Sequence, residues 1–143
     1  MSYWYVFLLV SQNLGIPSGL LESMCYVESN HRPNVIKYRD GNHEDSLGIC
    51  QVKLSTAQHM GFKGTRKELL DPRNNIEWAG KYLHYQYKKY GTWSRAVIAY
   101  NKGSVSPGGR TNKYLRKVLR IWASMGDNAC LSSNLNLNYS TQN

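Results

Sequence analysis

Long apolar runs are missing from this chain. The longest, Tyr3 to Val10, spans eight residues, far short of the ~20 that a membrane-spanning helix needs. No basic segment precedes it and no small-residue cleavage site follows closely, so a first core helix is expected there and a secretory leader is not. Cysteine is scarce as well: Cys25, Cys50 and Cys130, three residues with no C-x-x-C pair. An odd count without that pair argues against a disulfide framework and allows at most one bridge. Buried thiols are the expectation for Cys25 and Cys50. Zinc would have to draw on these cysteines and on His31, His43, His59 and His84, which lack any recognised ligand spacing, so neither a metal nor a cofactor is expected. Acid is the third absence. Residues 78–126 contain no Asp or Glu against ten Lys and Arg, whereas residues 1–77 carry eight of each.

The net charge of +9 is therefore concentrated in the second half of the chain. So one-sided a field favours a polyanionic partner, through steering and local concentration. Nucleic acid, an anionic membrane surface and a bacterial envelope polymer all qualify; a basic face that only confers solubility is the bland alternative.

What is present describes a folded domain. At 143 residues and 16.4 kDa with 41% hydrophobic residues, the chain is one compact unit, not a disordered one. Such a length buries roughly two-thirds of its unfolded surface. Residues 1–126 are read as this domain, and 127–143, rich in Asn and Ser, as a loosely ordered polar tail. Helices dominate the pattern. The first covers 3–14 and stops at Gly15. Pro17 suits the first turn of the second, which ends near Asn30 or His31 because Pro33 disfavours helix at Arg32. Residues 34–53 read as irregular, with a short hairpin: Val35 to Tyr38, a turn at Asp40-Gly41-Asn42, then Leu47 to Val52. Thr56 to Met60 suggests a short helix. Asp71-Pro72 opens a long one with Ile76, Ala79, Leu83 and Tyr87 inward and Gly91 as stop. Trp93, Ala96, Val97 and Tyr100 mark the next. After a glycine-rich loop, Leu115, Val118, Leu119 and Trp122 mark the last, with Gly126 as stop. The fold class is mainly α, with one irregular or β-hairpin insertion.

Glu28 breaks this pattern. It follows Leu21, Met24 and Cys25 at i+7, i+4 and i+3, so the helix turns it toward the core. There an ionised carboxylate loses hydration, and the helix carbonyl end adds a second disfavour; both raise its pKa. A carboxylic acid that stays protonated near neutral pH can donate a proton to the leaving oxygen of a glycosidic bond. A carboxylate that escapes to solvent, or pairs with Arg32 or Lys53, is the competing reading.

Three motifs follow in order: Glu28-Ser29, Ser46-Leu47-Gly48-Ile49-Cys50-Gln51 and Ala99-Tyr100-Asn101-Lys102-Gly103. Together they resemble the catalytic domain of SLT-type soluble lytic transglycosylases, of the goose-type lysozyme-like superfamily, over about residues 14–122. Asp71 to Ile76 and Tyr114 to Leu119 are similar to that family's later segments. The chain departs from the usual pattern at Ile49-Cys50 and at Lys102, which replaces a small residue, and in a longer polar interval from Glu28 to Gly48. The resemblance implies a lysozyme-like helical fold. It also implies cleavage of the β-1,4 bond between N-acetylmuramic acid and N-acetylglucosamine in peptidoglycan, with a 1,6-anhydro product. Glu28 would act first as acid and then as base. Tyr100 would place its hydroxyl near Glu28 or the muramic acetamido group. Ser29, Ser46, Gly48, Gln51 and Asn101 would bind substrate, Gly48 by letting the backbone approach the glycan.

The expected partners are peptidoglycan strands and other anionic envelope polymers, with no obligate nucleic acid, no membrane span and a monomeric protein. Action at the cell wall without a leader implies a virion-borne enzyme or delivery by another system. The nearest rival is hydrolysis of the same bond by a goose-type muramidase. Such an enzyme adds aspartates to position water, and Lys53 stands where one would sit, leaving Asp40, Glu44 and Asp45 as candidates for another. A basic helical nucleic-acid-binding module, resting on Arg116, Lys117 and Arg120, would leave the three motifs unexplained. A catalytically dead glycan-binding part of a larger machine is the remaining alternative.

Overall fold

A computed structural model describes residues 2–40, 43–109 and 111–125. The expected stop at Gly126, the tail 127–143 with Cys130, and the turn residues Gly41 and Asn42 lie outside them. Among the described residues the order is α1 (Trp4–Leu14), α2 (Leu20–Ser29), β1 (Ile36–Asp40), β2 (Glu44–Leu47) and β3 (Val52–Lys53). Then follow α3 (Leu54–His59), α4 (Arg66–Leu70), α5 (Pro72–Tyr90), α6 (Trp93–Lys102) and α7 (Lys113–Ala123). The domain is mainly α, as expected, with a small antiparallel sheet of order β1-β2-β3.

The long helix α5 is the spine. Asp71 caps it by accepting a hydrogen bond from Arg73 N at 2.9 Å, Pro72 fills the first turn, and Gly91 closes it at φ 85°. Ile76, Ala79 and Leu83 are fully buried, and α6 and α1 pack against this helix. The helix α2 lies against α7, where Trp122 Nε1 donates to Ser18 O at 2.8 Å. Apolar side chains from all these helices meet the sheet residues Leu47 and Val52 in one core.

The first helix is the core helix expected, with Phe7 buried and Val6, Val10 and Leu14 packed against the core, while Trp4 and Tyr5 on its outer face are exposed. Several other expectations are corrected. α2 begins at Leu20 and not at Pro17. Residues 47–52 are not one strand: Gly48 to Gln51 form a turn between β2 and β3, with φ of 78° at Gly48 and 55° at Gln51. The tertiary cause is Asn75, fully buried on α5. Its Oδ1 accepts from Cys50 N at 2.8 Å, and its Nδ2 donates to Leu47 O at 2.8 Å and Leu69 O at 2.9 Å. That one amide satisfies two backbone groups of the 47–52 segment, which an extended strand would have paired otherwise, and one carbonyl of α4. α4 was not foreseen; Thr65 and Glu68 form its capping box.

The thiols expected at Cys25 and Cys50 are instead a disulfide. α2 and the 48–51 turn approach until the two Cα atoms are 4.4 Å apart, a proximity that linear spacing does not announce.

Candidate active site

Glu28 is the next-to-last residue of α2, one turn beyond Cys25. Asn30 ends the helix in the left-handed conformation, φ 59°. The carboxyl lies on the wall of a cavity of about 490 Å³, which Asp40, Gln51, Lys53, Tyr100, Asn101 and Tyr114 help to line. It is partly buried. Burial pushes its pKa from an ordinary 4.5 to about 7. The hydrogen bond from Tyr114 opposes that rise, the negative charge of Asp40 adds to it, and Lys37 opposes it again. Near neutral pH the acid is thus shared between its protonated and ionised forms.

Tyr114 is the partner that the sequence did not reveal. Its hydroxyl donates to Glu28 Oε2 at 2.7 Å, across 86 residues of chain. Burial and the adjacent carboxylate push that hydroxyl well above its ordinary 10, so it stays a donor. A signal was available: Tyr114 precedes Val118 and Trp122 by i+4 and i+8 on the buried stripe of α7, and a buried tyrosine hydroxyl needs a partner. With Oε2 accepting from Tyr114, Oε1 is the oxygen left to carry the acidic proton toward the cavity.

Tyr100 also reaches the cavity, but its hydroxyl donates to Cys50 O at 2.8 Å and not to Glu28. It braces the turn opposite the acid. Its hydroxyl is pushed well above 10 by burial first and by the charge of Glu28 second. Ser29 is buried away from the cavity lining; its hydroxyl donates to Ile49 O at 2.6 Å and accepts from Arg32 N at 3.1 Å, which ties α2 to the turn. Gly48 likewise faces protein: a Cβ there would lie 2.7 Å from Asn75 Nδ2, so the close approach it allows is to α5. Gln51 lines the cavity, with Nε2 donating to Val35 O at 3.0 Å and Gly48 O at 2.9 Å, which leaves its carbonyl as the acceptor to present. Asn101 lines the cavity and is exposed. Ser46 lines it too and donates to Asp40 Oδ2 at 2.9 Å.

The acidic interval sorts itself by geometry. Asp45 accepts from Arg39 N at 2.9 Å and pairs with Arg66 at 2.9 Å; these bonds, Arg39's foremost, hold its carboxyl below the ordinary range. Glu44 is bonded to the backbone and hydroxyl of Ser55. Asp40 alone of the three enters the cavity lining, through a bulge. The β1–β2 register shifts between Lys37 and Asp40, and Arg39 takes φ 51°. An odd interval of three would put residues 37 and 40 on opposite faces of a regular strand. The extra residue brings both to the cavity, where they pair at 3.4 Å. Lys53 lines it as well. Among the described residues, no group of three or more His, Cys, Asp or Glu is arranged to hold a metal ion. No helix of the described residues is long and apolar enough to cross a membrane.

A mainly α domain with one desolvated glutamic acid in a polar cleft, able to lend a proton to a leaving oxygen, is the class that fold and site define. The comparison with known families gives the same class: residues 7–118 match the transglycosylase SLT domain, and the chain belongs to that family. It is also similar to a protein of Escherichia coli named X polypeptide. The two are 30% identical over 122 residues, which cover 82% of this chain and 72% of that protein.

Proposed function

We propose that the protein is a peptidoglycan lytic transglycosylase acting at the bacterial cell wall on the β-1,4 bond between N-acetylmuramic acid and N-acetylglucosamine. In the first step the proton on Glu28 moves to the glycosidic oxygen as the bond from that oxygen to muramic C1 breaks. In the second, the Glu28 carboxylate takes the proton of the C6 hydroxyl on the same ring, and that oxygen closes on C1 to give the 1,6-anhydro sugar. One proton is lent and returned, and no water is consumed. The tethered nucleophile brings a high effective molarity, so a second carboxylate is dispensable. Tyr114 holds the acid in place, and Tyr100 braces the turn that carries Gln51. Gln51 and Asn101 offer amide groups to sugar hydroxyls and acetamides; Ser46 acts through Asp40, and Ser29 and Gly48 shape the wall from behind.

The observation that carries this reading is the Glu28 carboxyl on the cavity wall, with a pKa near 7 and a tyrosine hydroxyl on one oxygen. Digestion of purified peptidoglycan followed by mass spectrometry tests it. Anhydromuropeptides are expected, and Glu28→Gln abolishes them; reducing-end products would overturn the anhydro mechanism. Asp40 supports a second reading, because it is the other carboxylate among the described residues of the lining. If it orients a water, the same bond is hydrolysed, and reducing ends that vanish in Asp40→Asn would establish that.

A further inference from the structure

A second cavity, of about 310 Å³, adjoins the one that holds Glu28. Val27, Asn101, Lys102 and Tyr114 line both, so Tyr114 and Lys102 stand on the partition between them. Lys113 and Lys117 complete a lysine-rich wall in which no carboxylate takes part. Those two are i,i+4 on α7 and rise from the same face, an arrangement of like charges that costs a helix a few tenths of a kcal/mol. None of the three lysines is in an ion pair among the described residues. Asn112 adds a neutral donor. Its Oδ1 is committed to capping α7, accepting from Leu115 N at 2.7 Å, and its Nδ2 is buried without a partner among the described residues. Three ammonium groups and an amide N–H beside the acid ask for an anionic acceptor.

Resting on the function proposed above, we propose that this cavity is a subsite for the carboxylates of the peptide stem. The stem hangs from the lactyl group of muramic acid, the sugar that Glu28 must address, so a strand seated for cleavage carries the stem past the partition. Lys102, Lys113 and Lys117 then set a preference for stem-bearing over stem-free strands.

Binding tests this separately from turnover. The Glu28→Gln protein is titrated calorimetrically with soluble glycan strands that carry stems, with strands stripped of stems by an amidase, and with strands whose stem carboxylates are amidated. Stem-bearing strands bind about tenfold more tightly than stripped ones, as three exposed charge contacts imply. That margin shrinks as salt rises from about 0.05 to about 0.5 M. Adding Lys102→Ala, Lys113→Ala and Lys117→Ala reduces it to less than about twofold, while the corresponding three Arg substitutions keep it. Equal binding of all strands, amidated stems that bind like native ones, or a triple Ala variant that keeps its preference would overturn the subsite. Native protein that binds strands yet releases no anhydro product would instead overturn the proposed reaction and leave the subsite standing.

Discussion

On the Glu28 side of the groove the polar groups are bound to protein, while on the α6–α7 side the lysines end in solvent. The 48–51 turn is held by a disulfide to α2, by Asn75 from α5, by Ser29 and by the Tyr100 hydroxyl. The acid itself is fixed from α7 by Tyr114. Across the partition, Lys102, Lys113 and Lys117 are exposed and carry no such ties among the described residues. The difference separates two tasks. A proton donor must be held at hydrogen-bond distance from the leaving oxygen with little positional tolerance and must be dried to keep its proton, so its surroundings are over-determined. Attraction of a charged substituent tolerates loose geometry and survives in water at modest strength.

Mutation should expose that contrast. Glu28→Gln is the largest effect: about a thousandfold loss of turnover on purified peptidoglycan, within the usual range for a general acid. Single Lys→Ala changes at 113 or 117 reduce it by less than about threefold, and a comparable loss at a lysine would erase the distinction. Next comes the clamp. Replacing both Cys25 and Cys50 by Ala lowers unfolding free energy by about 3 kcal/mol in denaturant titrations, and reductant does the same to the parent. Lys113→Ala stays within about 0.5 kcal/mol.

The third effect concerns pH. An unfolded Glu28 ionises near 4.5, and the folded one near 7. Between those values the native state holds a proton that the unfolded state has released, so the burial of Glu28 costs stability progressively from pH 4.5 upward and levels off above about 7. Glu28→Gln therefore gains up to about 3 kcal/mol over the parent at pH 8 and almost nothing at pH 4, measured by urea unfolding at both. The smallest effect is at the tyrosine. Tyr114→Phe removes the hydrogen bond that lowers the Glu28 pKa, so the alkaline limb of the pH–activity profile moves up by as much as about one unit. A lower rate with an unmoved limb would reduce Tyr114 to packing.

Much of the frame was legible because it is local. The Asp71-Pro72 start, the Gly91 stop and the inward faces of α5, α6 and α7 follow from caps and a 3.6-residue period. Glu28 showed itself by the same period, as a charge on an apolar stripe. What stayed hidden depends on contacts between distant segments. The Cys25–Cys50 bond, the Asn75 anchor that turns an apolar run into a loop, and the Tyr114 hydroxyl on Glu28 join residues 25, 25 and 86 positions apart. Tyr100 was found through its motif and its buried face, yet the direction of its hydroxyl was set by the turn it braces. α4 is only five residues long and leaves its polar side exposed, too little for an apolar period, although Thr65-x-x-Glu68 announced its start.

How tightly the Glu28 carboxyl holds its proton decides whether it can serve as the acid. Carbon-13 NMR of the Glu28 side-chain carboxyl, followed from pH 3 to pH 9, reads this without reference to substrate. A midpoint close to 7 is the predicted result. A midpoint near 4.5, the value of a free glutamate side chain, would contradict it.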